Sequence, residues 1–178
     1  MTIAEYIKPW SGYAYRHIPD IASSDVRDFS YCAFSKSNRW NSKGEPTLYL
    51  AKDKSVVVGE CSRHFSEDRS PKLVTQMHRR QIWKLSVRLS KTIDLCNLKA
   101  CKALSLDDPP HCFSNIQIAR STATFLRNTL KIEAIFVPSM VFMDDLSKWC
   151  LGVFLENLPE DSAQFFPKAN KDGFLNIQ

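Results

Sequence analysis

Apolar and polar positions alternate most cleanly from Ile82 to Leu89 (IWKLSVRL). Trp83, Leu85, Val87 and Leu89 fall on one side and Lys84, Ser86 and Arg88 on the other, which predicts a half-buried strand. Ile93-Asp94-Leu95 reads as another short extended piece. Gly12 to Ile18 predicts a first strand, ended by Pro19, and Thr47 to Ala51 a second, introduced by the turn residues Ser42-Lys43-Gly44-Glu45-Pro46. Between them, Asp20 to Asn38 is polar and irregular, with a helical turn near Asp25 to Phe29. Ser55 reads as a helix N-cap and the helix runs to Phe65, although Val56-Val57-Val58 would suit a strand. A second helix begins at Ser114 and runs to about Leu130, with Ile118, Ala119, Thr122, Phe125, Leu126 and Leu130 near one face. Ile132 to Val137 is a buried strand halted by Pro138, and Trp149 to Leu155 is the last clear one. Pro159 to Gln178 carries no assignable pattern. Strands and helices mingle without regular βαβ alternation, which predicts an α+β fold with a mixed, mainly antiparallel, split sheet and flanking helices, and disfavours a doubly wound one.

Composition limits what such a fold can be. The chain has 178 residues, 44% hydrophobic and 24% charged, which is enough for one domain with a sizeable core and excludes disorder. No apolar run approaches the ~18 residues of a membrane span. The N-terminus lacks a basic segment followed by an apolar stretch, so a cytoplasmic protein is expected. Six cysteines are scattered without a Cys-x-x-Cys pair and read as reduced, mostly buried thiols. Cys96, Cys101, His111 and Cys112 fit no familiar zinc spacing, so no metal is expected. His17, His64 and His78 stand alone, without a recognisable nucleophile–His–acid arrangement. The net charge of +5 would welcome an anionic ligand, but it also suits simple solubility. With five glycines and neither a G-x-G-x-x-G nor a G-x-x-x-x-G-K-[ST] motif, dinucleotide-binding doubly wound and P-loop readings fail.

Candidate chemistry concentrates in Arg39-Trp40-Asn41 through Leu48-Tyr49-Leu50-Ala51, followed by Glu60. The guanidinium of Arg39 offers a planar fork suited to phosphate; the alternative is a surface arginine packed over Trp40. Tyr49 points away from Leu48 and Leu50, so its ring either stacks on a flat heterocycle or is simply half-buried. Glu60 sits in an apolar stretch (VVVGEC), where a carboxylate is costly unless paired or functional; the alternative is an exposed helix-face glutamate. Cleavage of a glycosidic bond passes through an oxocarbenium-like state, and a carboxylate against the sugar would stabilise it.

These residues resemble the RES domain, the toxin part of many bacterial toxin–antitoxin pairs. Its pattern is an RWN-type segment, a turn, an LYLA-like strand and a glutamate on the following helix, matched here by Arg39-Trp40-Asn41, Leu48 to Ala51 and Glu60. The family's serine follows an apolar strand in a P-S motif, which Ile135-Phe136-Val137-Pro138-Ser139 fits. Trp149 to Phe154 resembles the final core strand, and Arg16 an arginine near the family's start. The resemblance runs from about Tyr13 to Leu158, so a single domain is expected over residues 1–178, with a core of about 13–158 and a C-terminal extension of 159–178.

The resemblance implies a fold similar to ADP-ribosyltransferases and cleavage of the nicotinamide–ribose bond of NAD, as a glycohydrolase or a phosphorylase, with NAD as substrate and no cofactor. Arg39 would grip the phosphates, with Arg16 as a secondary contact. Tyr49 would orient the nicotinamide end and Glu60 would stabilise the ribosyl cation. Ser139 would add a hydrogen bond near the phosphates or ribose. Inorganic phosphate is an alternative acceptor to water, an Xre-type antitoxin with a DNA-binding region the implied protein partner, and a homo-oligomer is left open. Other readings are transfer of ADP-ribose to protein, or a non-catalytic binding module. The strand Lys84 to Arg88 is the only feature favouring nucleic acid, and direct binding is not expected. One departure stands out: two glycines commonly precede the RWN-type arginine, whereas Ser37-Asn38 occupy those positions here.

Overall fold

The computed structural model describes residues 2–34, 38–67, 79–159 and 162–176. In chain order the main elements are β1 (Lys8–Pro19), β2 (Thr47–Ala51), α1 (Lys54–Glu67), β3 (Arg79–Asp94), α2 (Leu98–Ala103), α3 (Ile116–Asn128), β4 (Ala134–Pro138), β5 (Trp149–Phe154) and β6 (Lys168–Asn176). Short 3-10 turns cover Ile3–Tyr6, Ser30–Phe34, His111–Ser114, Leu155–Asn157 and Ser162–Phe165. The fold is α+β with a mainly antiparallel sheet, as the pattern of strands and helices predicts.

The sheet is split. One half is β1-β3-β6 and the other β2-β5-β4, all paired antiparallel. The long β3 joins them through a short parallel pairing of Thr92–Asp94 with Ala134–Phe136. On the opposite side β1 and β2 meet at one pair, Tyr15 with Ala51, and otherwise diverge. Alternation decides which side chains fill the space between the halves. Ala14 and Ile18, Leu48 and Leu50, Leu85, Val87 and Leu89, Phe136, Leu151 and Val153 form one core. The opposite residues Ile135, Val137 and Phe154 pack with Ala119, Ala123 and Leu126 of α3, Cys101 of α2, Phe113 and Trp40. A third cluster seats α1 through Val56, Val57 and Cys61 on Ala51, Ile82 and Leu175.

Several elements differ from the sequence expectation. β3 absorbs both the Ile82 segment and most of the Ile93 piece, and β1 begins four residues earlier than Gly12. The cap of α1 is Asp53, whose Oδ1 accepts from the Val56 amide and the Ser55 hydroxyl, so Ser55 lies inside the helix. The valine run is helical because Val56 and Val57 face inward while Val58 stays exposed. α3 starts at Ile116 under an Asn115 cap, and its buried stripe is Ala119, Thr122, Ala123 and Leu126; Ile118 and Phe125 are exposed. A hydrogen-bonded turn forms at Asp25–Asp28, near where a helical turn is expected, with the Asp28 amide donating to Asp25 O, and a 3-10 helix follows at Ser30–Phe34. α2 is too short for a periodic signal, and the unassigned tail supplies β6. All six cysteines are free thiols, with Cys61 and Cys101 buried and the others half-buried. Among the described residues no helix is long and apolar enough to cross a membrane. Ser37 and His78 lie outside the described residues.

Candidate active site

The divergence of β1 from β2 leaves a cavity of about 410 Å³, within the size range of small-molecule sites. Tyr15, Arg16 and His17 of β1 line one wall, Thr47–Ala51 of β2 another, and Glu60, Arg63 and His64 of α1 a third. Asn38, Arg39 and Trp40 close it on the side of the RWN segment, and Met140 follows the end of β4. Of the residues singled out by sequence, Arg16, Arg39, Tyr49 and Glu60 therefore share one cavity. Ser139 is fully buried behind it and reaches it through Glu60.

Glu60 is held from two elements. Its Oε1 accepts from the Ser139 hydroxyl at 2.6 Å and from the Met140 amide at 2.7 Å, both just past the end of β4. Its Oε2 accepts from Nε and Nη2 of Arg63, one turn along α1, at 3.1 and 3.0 Å. The side chain is only 17% exposed, so these partners are what makes its ionised form tolerable there. Gly59 permits the approach: a Cβ at that position would meet Val141 Cγ1 at 3.1 Å and Phe142 Cε2 at 3.2 Å.

The RWN segment is pinned residue by residue. Asn38 donates its amide to Asn41 O, and its carbonyl accepts from Nη2 of Arg120 at 2.8 Å. Among the described non-glycine residues, positive φ occurs at Ser105, Asp108 and Lys131 and not at Asn38, so the turn needs no glycine-like backbone there. Arg39 Nη1 donates to the carbonyls of Phe113 and Ser114 at 2.7 and 2.9 Å. Trp40 is buried, its ring edge-on to Phe113 at 5.0 Å. Asn41, fully buried, accepts from the Tyr49 hydroxyl at 2.8 Å. Burial pushes the Tyr49 phenol far above its usual range, which keeps it a neutral donor.

Arg16 is equally engaged. Its Nη1 donates to Val26 O, and its guanidinium lies 5.2 Å from the centre of the Phe29 ring. Burial lowers its pKa, with the nearby Cys32, Asp28 and Asp25 opposing. His17 accepts at Nδ1 from Arg80 Nε at 2.6 Å. Burial, then the charges of Arg80, Arg16 and His64, depress it to about 3, so it is neutral.

Sequence reasoning did not find Arg63. A charged residue three positions from a glutamate on a helix looks like any surface pair, and only the fold shows that the pair faces a cavity. Nor did it find Asn41 and Arg120 as supports of the RWN loop. No group of three or more His, Cys, Asp or Glu placed to hold a metal occurs among the described residues.

In this α+β domain a clamped carboxylate, a tethered arginine and a tyrosine thus line one cleft, a candidate small-molecule site. Residues 14–170 match the RES domain family, and the chain belongs to it. The match reaches into β6, past the Leu158 limit of the motif resemblance. The fold is similar to that of a chain in the crystal structure of the M. tuberculosis MbcT–MbcA toxin–antitoxin complex. The TM-score is 0.59 at 17% identity, covering 98% of this chain and 89% of that one. No curated protein matches the sequence.

Proposed function

We propose that this chain is a toxin-like enzyme that cleaves the nicotinamide–ribose bond of NAD. The observation that carries the reading is Glu60, a carboxylate held rigid by Ser139, Met140 and Arg63 at the wall of a cavity that Arg39 and Tyr49 also line. In this reading the ribose sits against Glu60. As the C–N bond breaks, nicotinamide departs with the bonding electron pair and positive charge develops on the sugar. A fixed carboxylate opposes that charge without reorganising, which is where such groups contribute most. Tyr49 presents its ring to the nicotinamide end, and Arg39 and Arg16 place positive charge along the path of the pyrophosphate.

Water or inorganic phosphate then takes the ribosyl cation, giving glycohydrolase or phosphorylase activity. Purified protein incubated with NAD separates the two. Nicotinamide release in buffer alone assigns hydrolysis, and release that requires phosphate assigns phosphorolysis. Labelled ADP-ribose appearing on protein without free ADP-ribose would replace both with protein transfer. An Xre-type antitoxin partner is part of the same proposal. The fold neighbour MbcT–MbcA is a toxin–antitoxin complex, and co-expression with such a partner is expected to suppress the NAD loss that the chain causes when expressed alone.

A further inference from the structure

We infer that Tyr31 is the shelf on which the adenine ring of NAD stacks, so that the site recognises the dinucleotide through an aromatic ring at its mouth. The inference rests on the NAD-cleaving reading above and names the contact for the half of the substrate that does not react. It begins from exposure. Tyr31 lines the cavity and is nevertheless 74% exposed. A residue that does both stands at the opening.

The reacting end lies deeper. Glu60 is 17% exposed, and its partner Ser139 and the Tyr49 partner Asn41 are fully buried. With the ribose of the nicotinamide half against Glu60, the pyrophosphate and the adenosine half extend toward the opening. A cavity of about 410 Å³ is near the small end for drug-sized ligands, and a dinucleotide is larger than those, so its second nucleoside is bound at the rim. Of the four tyrosine and tryptophan rings that line the cavity among the described residues, three are already engaged. Tyr49 serves the nicotinamide end in this reading and donates its hydroxyl to Asn41, Trp40 is buried edge-on to Phe113, and Tyr15 packs on the cluster that seats α1. Tyr31 keeps its ring open for a purine.

The turn that carries Tyr31 is braced on both sides. Before it, Arg16 donates to the carbonyls of Val26 and Asp28, and Asp28 Oδ1 accepts from the amide and the hydroxyl of Ser30. The Cys32 amide donates to Phe29 O at 3.0 Å, and the Phe29 ring packs edge-on against the buried Phe166 at 5.0 Å. A ring presented by a fixed backbone has little left to order when a base stacks on it. The arginine that holds this turn is also the one placed along the path of the pyrophosphate, which sets the shelf next after the phosphates along the substrate. Every base has a flat face to offer, so a single exposed ring suffices for the contact.

The test reads nicotinamide release as kcat/KM from NAD and from nicotinamide mononucleotide, which keeps the reacting half and one phosphate but lacks the adenosine. The wild type is expected to favour NAD. Tyr31→Ala lowers kcat/KM for NAD by roughly 5- to 150-fold, the worth of one base stacked on one ring, mainly through KM. It lowers that for the mononucleotide far less, so the ratio of the two falls. Tyr31→Phe keeps the ring and stays close to the wild type on both. Inhibition of NAD cleavage gives a second readout: ADP inhibits Tyr31→Ala more weakly than the wild type, while nicotinamide inhibits both alike. Equal loss on both substrates, no loss on NAD, or a Tyr31→Phe variant as impaired as Tyr31→Ala overturns the shelf, and so does ADP inhibition that ignores the substitution. If the wild type releases nicotinamide from neither substrate, the NAD-cleaving reading fails first and the shelf with it, an outcome distinct from an active enzyme whose Tyr31→Ala form is unimpaired.

Discussion

A buried serine is the residue whose role changed most between sequence and structure. The family resemblance places Ser139 near the phosphates or ribose, yet its hydroxyl is spent on Glu60 Oε1 at 2.6 Å and it has no exposed surface. Its effect on substrate therefore passes through the carboxylate. Ser139→Ala removes a hydrogen bond to a charged group, worth roughly 1.5–3 kcal/mol, and is expected to lower kcat for nicotinamide release by roughly 10- to 100-fold with little change in KM. A rise in KM at constant kcat would instead place Ser139 against the substrate. His17 yields a pH prediction. Its folded pKa of about 3 lies below the ordinary value of 6.5. As pH falls from 6.5 towards 3, the unfolded chain takes up a proton that the folded one refuses, so stability is lost in that window and not above it. The slope is at most about 1.4 kcal/mol per pH unit. Denaturant midpoints at pH 7 and pH 5 should separate less in His17→Gln, whose amide oxygen can still accept from Arg80.

Among the elements, those whose side chains obey a simple period were legible in the sequence. β2 matches residue for residue, and the alternating faces of β3 and the inward pair Leu48 and Leu50 fall as predicted. Elements stabilised by long-range contacts were not. β6 alternates weakly because much of it is exposed, and it exists by pairing with β3. α3 buries Ala119, Thr122 and Leu126 of the predicted face, but it also hides an arginine and exposes Ile118 and Phe125, so the buried stripe is shifted from the simple amphipathic reading. The candidate site was legible as motifs, because Arg39, Tyr49 and Glu60 are of unusual type for their setting. Its geometry was not, because the Arg63–Glu60 pair and the Ser139 hydroxyl gain meaning only once α1 meets the end of β4. That meeting depends on Gly59. Gly59→Ala improves intrinsic helix propensity by roughly 1 kcal/mol, but its methyl would press on Val141 and Phe142. The expected outcome is a thermal midpoint changed little while nicotinamide release falls severalfold. Undiminished release would show that the approach of α1 is not critical.

At the scale of the whole molecule, the split sheet creates the cleft, and a buried arginine ties the helical side to the half that carries β2. Arg127, 1% exposed, donates to Thr47 Oγ1 at 2.6 Å, pairs with Glu156 at 3.0 Å and Glu45 at 3.5 Å, and lies 4.2 Å from the centre of the Phe154 ring. Breaking a buried pair costs about 3–5 kcal/mol. Because the two glutamates are partly exposed and can regain water, Arg127→Ala is expected at the lower end of that range by urea denaturation. Arg127→Met, which restores packing on Phe154, should recover part of the loss, and no recovery would assign the effect to charge alone. The account as a whole stands on Glu60 meeting NAD in the cleft between β1 and β2. The most direct test incubates wild type and Glu60→Gln with NAD, with and without phosphate, and follows free nicotinamide. The account predicts release by the wild type in at least one condition and a loss of at least 100-fold in folded Glu60→Gln; equal release by both proteins, or none by the wild type, would contradict it.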